Sequence, residues 1–217
     1  MTISDRTVAI IGTGNIGGIL AADFAAGGQN FLLAGRDQET ARKIASDLGG
    51  HAEAVSVDEA VNRAGMLVLA VWLDAFEQLI AQYGERLDGK VIIDPTNPIG
   101  PDGQGGVRKV IGEQESSGQI LAGLLPAGAR LVKAFGTLSA PTLSAVARRE
   151  PERAVLFYAA DDVADGDLVA DLIRLAGFDP IRVGGLDQSI RIEMFGDLHE
   201  VGALGRVVTR TEALQAI

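Results

Sequence analysis

Residues 12–17 read Gly12-Thr13-Gly14-Asn15-Ile16-Gly17 and follow directly on four apolar residues, Val8-Ala9-Ile10-Ile11. A G-x-G-x-x-G run that leaves a strand and opens a helix is suited to holding a diphosphate. Gly12 permits the tight turn, Gly14 lets the backbone approach a pyrophosphate without a Cβ in the way, and Gly17 lets the helix pack closely on the strand. The helix N-terminus adds free N–H groups and a partial positive charge. The context agrees on both sides. Ile16, Ile19, Leu20 and Phe24 fall at helical spacing, and Gly27-Gly28 supplies a stop. The chemistry implied is dinucleotide binding.

The second strand, Phe31-Leu32-Leu33-Ala34, ends in Gly35-Arg36-Asp37. Dinucleotide folds selective for NAD place an acidic residue about 20 residues beyond the glycine run, where it accepts from the ribose 2′-OH. Here the strand tip carries Gly35 and then Arg36, whose guanidinium suits a 2′-phosphate through two parallel hydrogen bonds. Arg42 and Lys43 follow nearby. Asp37 reads as the N-cap of the next helix. NADP is therefore expected over NAD.

Further candidates lie at later strand ends. Residues 66–71 form a buried apolar run whose tip, Ala70-Val71-Trp72, falls on the edge where open parallel sheets bind ligands. Backbone atoms there line the ribose side of a dinucleotide; Trp72 either covers the ligand or packs at the strand end. Val91-Ile92-Ile93-Asp94 leads into Pro95-Thr96-Asn97-Pro98, a stiff loop placed to wall in a nicotinamide at Asn97 and Pro98. Lys133 sits inside the apolar run 130–135 and is expected to pair with a carboxylate or face the ligand cleft, and Thr137 follows at the strand tip. No lysine, histidine and aspartate set for protonating a carbonyl is evident. His199 and Glu193 are the only helical candidates, each expected to be surface-facing or capping.

These residues need an α/β frame. Apolar runs at 8–11, 31–34, 66–71, 91–94, 130–135 and 154–160, with shorter ones at 52–55 and 180–183, alternate with helical patterns. The expectation is a Rossmann-type, doubly wound, mainly parallel sheet with a small C-terminal α/β lobe ending in helix. Residues 1–125 form the dinucleotide-binding domain, and 126–217 form the substrate and dimerisation part. Asp74 with Glu77 resembles a capping box. Residues 100–118 read as a loop with at most a short helix. Ile190, Met194, Leu198, Val201 and Leu204 read as the inner face of a helical C-terminus, which Gly196, Gly202 and Gly205 interrupt.

The 217-residue chain is long enough for a sizeable core, and its formal net charge of −10 argues against nucleic acid and anionic membrane partners. The chain contains no cysteine and only two histidines, far apart, which removes thiolate chemistry and makes a histidine metal site improbable. Cysteine absence suits a cytoplasmic protein. The polar stretch 1–7 leads straight into the first strand, unlike a secretory signal.

Taken in order, Gly12–Gly18, Leu33-Ala34-Gly35-Arg36, Ile93-Asp94-Pro95-Thr96-Asn97-Pro98, Leu131-Val132-Lys133-Ala134-Phe135-Gly136-Thr137, Ala159-Ala160-Asp161-Asp162 and Leu175-Ala176-Gly177-Phe178 resemble the F420-dependent NADP reductases over nearly the whole chain. The Val-Lys-Ala-Phe stretch is the more specific part, and Gly136 departs from the asparagine common in such proteins. The resemblance implies NADP binding at Thr13, Asn15, Ile16 and Arg36, hydride transfer between NADPH and F420 or a flavin such as FMN, and a homodimer. A deazaflavin or flavin ring delocalises charge, so no dedicated protein acid is required. Two other readings stand beside this one: an NADPH reductase of a small carbonyl or imine, and an NADP(H)-sensing protein without turnover.

Overall fold

The computed structural model describes residues 6–217; the first part of the polar N-terminal stretch, 1–5, lies outside the described residues. The first half alternates strand and helix: β1 (Val8–Ile11), α1 (Asn15–Ala26), β2 (Phe31–Ala34), α2 (Gln38–Asp47), β3 (Ala52–Ala54), α3 (Val57–Arg63), β4 (Met66–Leu69), α4 (Leu73–Tyr83) and β5 (Val91–Asp94). A hairpin, β6 (Ile99–Pro101) and β7 (Val107–Lys109), leads to α5 (Ser117–Leu124) and β8 (Arg130–Lys133). The chain ends with α6 (Ala140–Val146), β9 (Val155–Ala160), α7 (Val163–Leu175), β10 (Asp179–Gly184), α8 (Ser189–Ile192) and α9 (Arg210–Ala213).

Eight strands form one sheet in the order β3-β2-β1-β4-β5-β8-β9-β10. All neighbours are parallel except β8 and β9. The carboxyl ends of β1, β2, β4, β5 and β8 therefore share one edge, the edge where such sheets bind ligands. Each central strand is buried on both faces. Val8 and Ile10 face a core built with α1, α2, α6 and α7, while Ala9 and Ile11 face one built with α3, α4 and α5. This is why these strands read as unbroken apolar runs rather than alternating ones. Phe24 of α1 is fully buried and meets Phe31 and Phe135 edge-on, ring centroids 6.0 and 5.9 Å apart. Burying such a ring contributes about 1.5–3 kcal/mol, and here it also ties β2 to the tip of β8.

Local signals held where they were short-range. Asp37 caps α2, its Oδ1 accepting from the Glu39 N–H at 2.9 Å, and Asp162 caps α7 through the Asp165 N–H at 2.9 Å. Three expectations are corrected. Helix α4 starts at Leu73 with Trp72 as its N-cap and no side-chain cap, so Asp74 and Glu77 form no capping box. Residues 100–118 contain the β6–β7 hairpin and the start of α5 rather than a plain loop. The C-terminus is broken where its glycines interrupt it, the chain folding back on itself between α8 and α9, but Val201 is half exposed rather than inward. A Cβ on Gly202 would lie 1.7 Å from the Gly196 carbonyl oxygen, so these glycines serve a backbone crossing that a helix could not make.

Candidate functional site

The glycine turn has the geometry that its residue types require. Gly12 adopts φ +122°, and a Cβ there would sit 2.1 Å from the Ala70 carbonyl oxygen at the end of β4. A Cβ on Gly17 would sit 1.9 Å from the Gly12 carbonyl oxygen, which fixes how closely α1 approaches the turn. Gly14 differs: its missing Cβ faces open space, and Gly14 and Asn15 are exposed. As the N-cap of α1, Gly14 offers no side-chain acceptor, so the first-turn N–H groups are left for an outside anion. That is a cradle fit for a diphosphate.

Beside it, Gly35 packs on Thr13, whose Oγ1 would be 2.9 Å from a Cβ at Gly35. Arg36 is exposed, and among the described residues it makes no ion pair or side-chain hydrogen bond. Asp37 is engaged instead, taking the Thr40 hydroxyl at 2.6 Å as well as the Glu39 N–H. These bonds hold its carboxyl below the usual range. So the acidic side chain at this tip is bound to its own helix while the guanidinium is free, an arrangement suited to a phosphate rather than a ribose hydroxyl. Ala70 and Val71 lie between the turn and Trp72, whose side chain is not packed away: Trp72 is 68% exposed. A cavity of about 170 Å³ lined by Gln38, Arg42, Ser56 and Glu59 opens at the start of α2, on the Arg36 side of the sheet and away from β5 and β8.

At the tips of β5 and β8 the structure assembles a second group. Lys133 is 1% exposed. Its Nζ donates to Asp94 Oδ2 at 2.7 Å, the Thr96 carbonyl at 2.6 Å and Ser117 Oγ at 2.9 Å. An ammonium has three donors, and all three are used. Glu193 lies 3.7 Å from the same Nζ and caps α5, accepting from the Ser117 N–H at 3.2 Å, the Gly118 N–H at 3.0 Å and the Ser117 hydroxyl at 2.8 Å. The expected capping role of Glu193 is found, but deep in the protein and outside any helix. Asn97 bridges two loops: its Nδ2 donates to the Gly136 carbonyl at 2.9 Å, and its Oδ1 accepts the Met194 N–H at 2.6 Å. Pro98 is buried beside it.

His199 is fully buried rather than surface-facing, and its Nδ1 accepts the Val201 N–H at 3.0 Å. Burial pushes its imidazole below the ordinary value. Thr137 is also buried, and among the described residues its hydroxyl has no hydrogen-bond partner. Glu193, Ser117 and Met194 were not legible as partners of Lys133 and Asn97, because their links span 16 to 97 positions of sequence. The buried lysine was the one available signal that a carboxylate must be near.

A Rossmann sheet with an open glycine cradle and a free arginine at the β2 tip has the form of a dinucleotide-binding protein. The family model described as NADP oxidoreductase coenzyme F420-dependent matches residues 7–98. The chain is 32% identical over 198 residues to the F420-dependent NADP reductase of Methanothermobacter thermautotrophicus, covering 86% of this chain and 84% of that one. It belongs to the F420-dependent NADP reductase family. Among solved structures it resembles the hypothetical protein SMa0349 from Sinorhizobium meliloti, with a TM-score of 0.81, 28% identity and 97% and 96% of the two chains covered. A putative F420-dependent NADP reductase from Arthrobacter sp. FB24 shares the fold, with a TM-score of 0.72 at 22% identity over 84% and 86%.

Proposed function

We propose that this chain transfers hydride between NADPH and a planar flavin-like acceptor, F420 or a flavin such as FMN. The observation that carries the reading is the open cradle at Gly14 next to the unpaired Arg36. In this reading the backbone around Thr13, Asn15 and Ile16 holds the diphosphate. Arg36 grips the 2′-phosphate while Gly35 keeps the strand tip close to Thr13. Ala70 and Val71 line the ribose, Trp72 flanks it, and Asn97 with Pro98 walls in the ring. When bound, the nicotinamide supplies the hydride. The protein orients the two rings and excludes water from between them.

The absence of a free proton donor at Lys133 supports an acceptor that needs none, since all three of its N–H bonds are taken. The reading includes a division of labour between residues 1–125, which hold the nucleotide, and 126–217, which face the acceptor and support a homodimer in the cytoplasm. Mixing the protein with NADPH and F420, and separately FMN, and following absorbance tests it. Turnover with either ring supports the reading, and binding of NADPH without turnover points instead to a sensing protein.

One observation favours a second reading, reduction of a small carbonyl or imine: the Thr137 hydroxyl is buried beyond β8 without a partner among the described residues. As a proton donor it would be needed for turnover, so Thr137→Val must abolish such activity. Undiminished turnover removes this reading.

A further inference from the structure

Two phenylalanines near Asn97 have left-handed backbones: Phe135 at φ +67° and Phe195 at φ +74°. A bulky side chain at positive φ is a genuine outlier, and persists only where its surroundings enforce it. The two differ in what they gain. Phe135 is fully buried and meets Phe24 edge-on, so its packing offsets the backbone cost. Phe195 is 47% exposed and belongs to none of the apolar clusters. Its strain is not returned by burial.

The backbone on either side of Phe195 is nonetheless tightly held. The preceding residue, Met194, donates its N–H to Asn97 Oδ1 at 2.6 Å, and Gly196 donates to the Glu193 carbonyl at 2.8 Å. A Cβ at Gly196 would lie 2.4 Å from the carbonyl oxygens of Ile190 and Arg191, and one at Gly202 would lie 3.1 Å from the Phe195 carbonyl carbon. Glu193, two residues before, is locked into the Lys133 and Ser117 group. Asn97 reaches the Gly136 carbonyl with its other end, so one side-chain amide spans the neighbours of both strained phenylalanines. The result is a strained backbone held against the loop that follows β5, carrying a half-exposed aromatic side chain.

Resting on the function proposed above, we propose that Phe195 is the specificity-determining contact for the hydride acceptor, forming an apolar face for a planar fused heteroaromatic ring. Asn97 is the positioning residue that sets where that face stands. Aromatic faces meet planar rings in offset or edge-on packing and reward flat partners over small aliphatic ones.

The test compares the full chain with Phe195→Gly and Phe195→Tyr. Melting temperature, NADPH affinity by calorimetry, binding of F420 and FMN to the NADP⁺-loaded protein by fluorescence, and KM for each ring are measured. Glycine accepts φ +74° without strain, so Phe195→Gly should melt at or above the parent temperature and bind NADPH within about twofold. Its KM and Kd for the acceptor ring should rise about fivefold or more, the size of one lost aromatic contact. Phe195→Tyr keeps the ring and should keep the parent KM. An active Phe195→Gly with unchanged acceptor KM and Kd overturns this inference alone. Failure of the parent to bind or turn over either ring overturns it together with the proposed function.

Discussion

Lys133 and Asp94 face each other from adjacent parallel strands, Nζ 2.7 Å from Oδ2, and neither side chain reaches solvent. Asp94 also takes the Thr96 N–H at 2.8 Å through its other oxygen, so the pair fixes the first turn of the loop that carries Asn97. Removing one partner leaves a buried charge without compensation. Lys133→Met should therefore cost about 3–5 kcal/mol of stability. Urea unfolding checks this, and an unmoved midpoint would show the pair to be dispensable.

Among the described residues Arg36 makes no ion pair or side-chain hydrogen bond, so Arg36→Ala should leave the melting temperature within error. It should weaken NADPH by about 1.5–3 kcal/mol, the cost of a lost charged hydrogen-bond pair, and weaken NADH far less. Calorimetry with both nucleotides decides, and equal weakening would remove the 2′-phosphate role.

The glycines of the turn separate folding from binding. Gly17→Ala places a methyl 1.9 Å from a backbone oxygen and should damage folding itself. Gly14→Ala meets nothing in the protein, so the fold should survive with near-normal thermal stability. Its methyl stands where a diphosphate would approach, and NADPH affinity should fall at least about tenfold. Normal NADPH binding by Gly14→Ala would place the phosphates elsewhere.

Two buried groups give the stability a pH dependence of opposite signs. Burial raises Asp23 from 3.8 to about 6, only partly offset by Arg148, whose Nη1 is 3.5 Å from Asp23 Oδ1. Between those values the folded state holds a proton that the unfolded state has lost, so stability falls as pH rises from about 4 to about 6. Asp23→Asn removes this loss, and its gain over the parent in urea midpoint should be larger at pH 8 than near pH 4. His199 is pushed below 6.5, and its Nδ1 already accepts from Val201. Below pH 6.5 the unfolded chain takes up a proton that the folded one refuses, so this residue costs stability as pH falls. In the Asp23→Asn background, midpoints should drop as pH falls below 6.5, and His199→Gln should flatten the drop.

What could be read in advance was local. The glycine turn, the Arg36 tip and the Asp37 cap involve residues a few positions apart, whose types leave little choice of conformation. The parallel core was equally plain, because strands covered on both faces are apolar throughout, as in Met66–Leu69. The β6–β7 hairpin leaves no such mark, because its strands, Ile99–Pro101 and Val107–Lys109, have no fully buried residue to set their period. The capping role of Glu193 is legible, but its burial beside Lys133 is not, for the converse reason. A carboxylate in a glycine-rich C-terminal stretch looks solvated unless one knows that the N-terminus of α5 and Lys133 converge on it.

The Met194-to-Asn97 bond joins positions 97 residues apart in a chain of 217. The proposed nucleotide cradle draws on β1, α1, β2 and β4, all of which precede β5 in the chain. The loop after β5 gets its second anchor only once position 194 has been made. On the proposed function, the residues that would grip the dinucleotide are therefore synthesised well before the ring wall at Asn97 gains its second anchor.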